Sequence, residues 1–242
     1  MSAPGLVRRI DTEADIAAGL AALLAADSRL RPVAAVAGAV PLRRRPGGFA
    51  GIASIVVSQQ LSTASAGAIW GRLVAAYDPF TPQALTRARA DRLARLGLSA
   101  AKIRALKEIA KAVASGALDC DALAVMPAET AHRALCTVHG IGPWTADIYL
   151  LFCLGHADVW PAGDLALQEA TRLALALASR PDAKETALLA QPWRPWRGVA
   201  ARLLWAYYRA IKHRDGAPAP MQSNGVTAQI PANPVEERWP QN

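Results

Sequence analysis

The chain has 242 residues, a formal net charge of +8, 52% hydrophobic residues and three cysteines. That length supports one large domain or two small ones around a sizeable buried core, and the basic balance favours a polyanionic partner. Cys120, Cys136 and Cys153 lack CxxC spacing. They exclude a four-thiolate metal or iron–sulfur site, and their odd number argues against a disulfide framework, so reduced thiols in a cytoplasmic protein are expected.

Near the N-terminus, Asp11 and Glu13 stand where a signal peptide needs an apolar segment, and no uncharged run of membrane-spanning length follows. Thr12 with Asp15 forms a capping-box pattern that predicts a helix to about Ala26. Pro41 to Gly48 reads as a basic loop in which Arg43, Arg44 and Arg45 are solvated. A helix is predicted over Phe49 to Gln60, and Ser62 caps another that ends near Tyr77. Thr81-Pro82 is a cap with a first-turn proline, and Ser99 caps a helix to about Ser115 that Gly116 stops. Helices are expected over Glu129–Val138, Pro143–Cys153, Leu165 to about Ser179, and Trp196–Lys212. Strand alternation is nearly absent.

From Asp215 the chain has several prolines and little periodicity, and holds three acids and one base. This tail, residues 215–242, is expected to be disordered or loosely attached. The preceding 214 residues therefore carry a net +10. The expected architecture is all-α, with residues 1–214 forming two interleaved helical lobes and a cleft between them.

The chemistry concentrates at Gly140-Ile141-Gly142. Two glycines around one apolar residue allow a tight turn into a helix start, where bare amides seat an anion. A bare GxG is more commonly an ordinary helix–helix corner. Here Pro143, which lacks a donor, fits the first turn of the next helix. Asp164, in Pro161-Ala162-Gly163-Asp164, follows 17 residues after Asp147. It reads as an N-cap, and a carboxylate near an anion-binding turn suggests chemistry on a nucleic acid. Asp147 reads as a structural acid, Tyr149 and Trp70 as core, Trp239 as tail. His132, His156 and His213 show no metal-ligand spacing.

Val138-His139-Gly140-Ile141-Gly142-Pro143-Trp144-Thr145-Ala146-Asp147, followed by Pro161 to Gln168, resembles the helix-hairpin-helix DNA glycosylase superfamily, and within it the 3-methyladenine DNA glycosylase II type. Ser58-Gln59-Gln60-Leu61-Ser62, Leu96 to Ser99, and Trp193-Arg194-Pro195-Trp196-Arg197 with Trp205 extend the similarity over roughly residues 45 to 212. His139 departs from a frequent family proline. The resemblance implies a hairpin followed by a Gly/Pro-rich loop and a catalytic aspartate, with no required cofactor. The hairpin, through Gly140, Ile141, Gly142, Trp144 and Thr145, would grip the backbone of double-stranded DNA that holds a damaged base. Carbonyls of Cys136, Val138 and Ile141 would hold a structural monovalent cation. Asp164 would be catalytic, Trp144 and Trp205 would line the base pocket, and Gln59 and Gln60 would sit near the cleft. The wedge that fills the flipped-out gap would come from Leu98 and Ser99, because Ala100 is too small. Tryptophan at position 144 stands where strand-cutting members carry a Schiff-base lysine, which implies a monofunctional enzyme that leaves an abasic site.

The expected activity is removal of alkylated purines of the 3-methyladenine and 7-methylguanine type by a monomeric base-excision repair enzyme, nucleoid-associated if bacterial. Two alternatives stay open: a non-catalytic helix-hairpin-helix binding module, and a glycosylase for deaminated or oxidised purines. The longer family members' N-terminal sheet-rich domain is expected to be missing or replaced.

Overall fold

A computed structural model of the chain describes residues 8–212. The expected tail, with Trp239 and His213, lies outside the described residues. Among those described, the regular structure is helical, with one isolated bridge between Arg9 and His156.

α1 (Glu13–Ala26) opens on the expected capping box: Thr12 accepts from the Asp15 amide and Asp15 from the Thr12 amide. α2 (Leu30–Ala37) was not expected. It has no side-chain cap, and Pro32 sits in its first turn, where a missing N–H costs nothing. Its buried stripe of Leu30, Val33 and Ala37 packs on the last helix, α13 (Arg197–Lys212). Asp27, just before α2, is 7% exposed and accepts from Trp193 Nε1 at 2.9 Å and from Arg29 Nη2 at 2.7 Å. The hydrogen-bonded Arg29 guanidinium, with Trp193 adding, holds the Asp27 carboxyl at about 2.

α3 (Gly48–Ser58) ends two residues earlier than expected, because Gln60 adopts a left-handed backbone with φ +55°. α4 (Thr63–Ala76), α5 (Pro82–Arg87) and α7 (Ala100–Ala114) start at Ser62, Thr81 and Ser99, each accepting from a backbone amide three residues on. Between the last two lies α6 (Ala90–Arg95), and after them comes α8 (Cys120–Val125), capped by Asp119. α9 (Ala128–Cys136) stops before Val138, the expected end. α10 (Pro143–Ile148) runs into a π-helical turn, Tyr149–Cys153. α11 (Leu165–Ala174) is shorter than expected, since Ala176 turns left-handed at φ +52°. α12 (Ala183–Leu189) carries a capping box of Asp182 and Glu185.

The helices pack in two groups. α3 to α10 gather around α3 and α7, whereas α1, α2 and α11 gather on α13 with α12 packed on α11, so the described residues start and finish in one group and cross the other. The π turn lies at their junction. Its wide ring frees carbonyls that ordinary helix bonds would use. Arg202 of α13, 2% exposed, donates to the carbonyl of Leu151 in that turn, to Leu42 and to Gly198. Burial, with Arg44 and Arg43 nearby, pulls its pKa down to about 9, so it is charged at neutral pH.

The expectation of a solvated Arg43–Arg45 loop is corrected here. Arg44 pairs with Asp11 at 3.1 Å and donates to the Phe152 carbonyl, and Arg45 is 8% exposed with its guanidinium 5.8 Å from the Phe152 ring. The N-terminal segment, bonded to Gly155 and Ala157, folds over this loop and shields it. Tyr149 and Trp70 are core as expected, and the Tyr149 hydroxyl accepts from the Gly48 amide.

Candidate active site

α9 and α10 form a helical hairpin around Gly140-Ile141-Gly142. The two glycines do different work. At Gly140, φ is +94° and a Cβ would stand 2.4 Å from Ala105 Cβ of α7, so the turn needs glycine both for its backbone and for its packing. At Gly142, φ is −83°, and nothing lies within 4 Å of an added Cβ. The exposed Gly142 therefore leaves open the space in front of α10, where the Trp144 and Thr145 amides lack intrahelical acceptors and Pro143 has no donor to waste. Ile141 does not share this role. Its side chain is 4% exposed and its amide already donates to Val138 O at 3.0 Å.

His132 of α9 meets Asp147 of α10 at 3.3 Å, tying the two hairpin helices together. The neighbouring carboxylate raises the His132 pKa, while burial raises that of Asp147. Asp147 is structural, as its sequence position suggested.

Asp164 caps α11 from a turn closed by its own amide on the Pro161 carbonyl and braced by Gln168, which donates to Ala162 O. The Asp164 side chain is 7% exposed. Its Oδ1 accepts from the Leu167 amide at 2.8 Å, as a cap should. Two indoles also converge on it: Trp144 Nε1 donates to Oδ2 at 2.8 Å, and Trp205 Nε1 donates to Oδ1 at 3.2 Å. Capping needs neither of them. Trp205 rests against Phe152, with ring centroids 5.7 Å apart, and the π turn is what presents Phe152 to it.

Gln59 joins this group through Thr145, to whose hydroxyl its amide donates at 2.7 Å. Gln60 and Leu61 do not; they project at the tip between α3 and α4, both exposed, with Leu61 39% accessible. Lys102 fixes the base of that tip by donating to the carbonyls of Val57 and Gln59. Leu98 corrects the wedge expectation. It is 4% exposed and belongs to the core, because the α6–α7 connection turns it inward and leaves only Ser99 at the surface. The spacing in the sequence carried no sign of that direction. Leu61 follows the left-handed Gln60 at that tip, a backbone feature that leaves no mark in the sequence.

Arg197 makes a two-point contact with Asp158, and Arg194 adds to it at 3.6 Å. Lys107 donates to the carbonyls of Thr86 and Ala88. Among the described residues no group of three or more His, Cys, Asp or Glu side chains is placed to hold a metal ion.

Residues 53–195 match the profile of a family described as the HhH-GPD superfamily base excision DNA repair protein. An alkylbase DNA glycosidase-like protein, mag2, of Schizosaccharomyces pombe is 28% identical over 173 residues, 69% of this chain and 80% of the relative. A probable bifunctional transcriptional activator/DNA repair enzyme, AlkA, of Mycobacterium tuberculosis is 34% identical over 221 residues. That alignment takes in 85% of this chain and only 42% of the relative. Among solved structures, the 3-methyladenine DNA glycosylase Mag1 of S. pombe in complex with abasic DNA superposes with a TM-score of 0.72. It is 27% identical, covering 81% of this chain and 97% of that one.

Proposed function

The chain belongs to the HhH-GPD superfamily of base excision DNA repair proteins, and from that footing we propose that it is a DNA glycosylase that removes alkylated purines from double-stranded DNA. The observation that carries the reading is the convergence of the Trp144 and Trp205 indoles on Asp164. A residue that only capped α11 would have no use for two aromatic donors from other helices. The names of the relatives, alkylbase and 3-methyladenine glycosylases, support the same chemistry.

In this reading the damaged purine flips out of the duplex and lies against Trp144 and Trp205. A cationic alkylated base gains on the order of 0.5–2 kcal/mol from an aromatic face. As the C1′–N bond lengthens, positive charge grows on the sugar and Asp164 stabilises it. A carboxylate offers roughly four lone-pair positions. Two on Oδ1 and one on Oδ2 are taken. The remaining position on Oδ2 is the one we assign to the attacking water. Water oxygen bonds to C1′ and gives up one proton to solvent, the glycosidic electron pair leaves with the base, and an abasic site remains.

Strand cutting is not part of the proposal. Trp144 has no amine to form a Schiff base, and the Lys102 and Lys107 amines are held by backbone carbonyls. Borohydride should therefore trap no covalent complex with lesion DNA; a trapped complex would overturn this point.

The amides of Trp144 and Thr145, past the open Gly142, are the proposed phosphate donors. A cation on the carbonyls of Cys136, Val138 and Ile141 fits as far as donor chemistry goes. The Val138 oxygen keeps one lone pair beyond its bond to Ile141. Such an ion would brace the turn. Gln60 and Leu61, rather than Leu98, are the proposed wedge. No described helix is long and apolar enough to cross a membrane; a monomer acting in the cytoplasm on chromosomal DNA is the setting we propose.

The test is a panel of duplexes that each carry one defined lesion, scored for released free base. Free 7-methylguanine released above the enzyme-free control, with none released from guanine, supports the proposal. No release from any lesion overturns it, and binding without release would mark a helix-hairpin-helix binding module instead.

A further inference from the structure

Arg202 is an unusual residue to bury. Its three polar partners are backbone carbonyls, and among the described residues no carboxylate pairs with it. A buried charge that is hydrogen-bonded but has no counter-charge keeps much of its desolvation cost. Its surroundings indicate a use. The guanidinium lies 4.8 Å from the centroid of Phe152, and Phe152 packs on Trp205. Arg43, Phe152, Arg202 and Trp205 also line one small void of about 10 Å³, with no acidic side chain among its walls. On its indole edge Trp205 touches Asp164. The tryptophan thus stands between a carboxylate and a buried guanidinium.

We propose that Arg202 is a specificity-determining residue: its charge behind the Phe152–Trp205 wall favours lesions whose base departs as an anion over lesions whose base is already cationic. When the C1′–N9 bond breaks, its electron pair passes to the base, water oxygen bonds to C1′, and the water's second proton goes to solvent or to the departed base. An N-methylated cationic purine is neutralised by that pair. An uncharged purine, such as hypoxanthine, becomes negative and needs positive potential beside it. Asp164 at the sugar and Arg202 behind the base are arranged along that charge separation. The aromatic faces attract cationic bases, so Arg202 widens the range of lesions toward uncharged ones instead of abolishing the first class.

This inference rests on the glycosylase reading, and the two fail separately. If wild-type protein releases no base from any lesion duplex, the reading fails. If it releases bases but the ratio below is insensitive to charge, only the inference fails. The experiment measures single-turnover release of hypoxanthine and of 7-methylguanine by wild type, R202M and R202K with enzyme below half-saturation, so that each rate refers to free enzyme and free DNA. Their ratio is independent of the fraction of folded protein. Both bases gain one unit of negative charge as they leave, so rates from the bound state shift alike; relative to free enzyme and DNA the two transition states differ by one unit of base charge, which at roughly 10 Å and an effective dielectric of about 20 alters the ratio by about ten-fold. R202M should therefore lower the hypoxanthine to 7-methylguanine ratio by about ten-fold, and R202K should hold it within about two-fold of wild type. An unchanged ratio in R202M, or an equal fall in R202K, overturns the proposal. Should R202M fail to fold, R45M removes the second guanidinium near Phe152 and should lower the same ratio by a smaller factor; no fall there also overturns it.

Discussion

Asp164 accepts from one amide and two indoles, and the indoles come from helices 20 and 41 residues away. Trp144→Phe keeps the aromatic body and deletes one donor to a charged acceptor. A bond of that kind contributes about 1.5–3 kcal/mol, so kcat should fall about 10- to 100-fold with lesion affinity little changed. Unchanged kcat would mean that Trp144 only packs. Asp27 tests a different residue-level claim, that its carboxylate is held ionised by Arg29. Its folded pKa of about 2 lies below the ordinary value of 3.8, so its stabilisation is present above about pH 4 and fades as the pH falls through 2. The melting-temperature gap between wild type and Asp27→Asn should be widest above pH 4 and close toward pH 2. A gap independent of pH would contradict the assignment. Asp164 itself was legible in the sequence as a cap at the end of a matched motif. Its indole partners were named only as pocket walls, because a bond across 41 residues leaves no local pattern. Leu98 was misread for a related reason, since a loop position does not state which way its side chain turns.

Among the elements, the hairpin separates folding from binding in two substitutions. Gly140→Ala adds a Cβ at positive φ against Ala105 and should lower stability by about 1–3 kcal/mol in chemical unfolding. Gly142→Ala meets open space, so it should melt near wild type yet bind DNA more weakly, as gel shift or anisotropy would record. Equal DNA affinity would remove Gly142 from the proposed interface. The His132–Asp147 tie has a pH signature. With the His132 pKa raised above 6.5, its contribution is full below that value and is lost as pH rises through the folded pKa. NMR titration should place the His132 midpoint above 6.5 in wild type and lower in Asp147→Asn. Helices with polar caps, such as those after Thr12, Ser62 and Ser99, were readable from sequence because the cap is a local interaction. α2 was not, since its stability comes from packing on α13 and nothing polar marks its start. The π turn was read as plain helix, because its register depends on Arg202, Arg44 and Tyr149 contacts made from far along the chain.

For the whole molecule, the net charge of +8 predicts DNA binding that weakens with salt. Affinity for an unmodified duplex should fall at least about ten-fold between about 50 and about 200 mM salt, and a flat response would argue against phosphate contacts. The all-α class and the order of the hairpin, turn and aspartate were legible because they are written in composition and motif spacing. The division into two packing groups, with the chain leaving and re-entering one of them, was expected only in outline. The burial of the Arg43–Arg45 loop under the N-terminal segment was not foreseen, since it depends on residues more than 100 positions apart. All of these features serve one claim, that the molecule holds Asp164 where a flipped base meets its sugar. The most direct measurement compares wild type and Asp164→Asn on a duplex with a single 7-methylguanine, following DNA affinity and single-turnover base release together. The prediction is near-wild-type affinity, a similar melting temperature, and release slowed by about 100-fold or more. Release by Asp164→Asn at the wild-type rate would contradict the account.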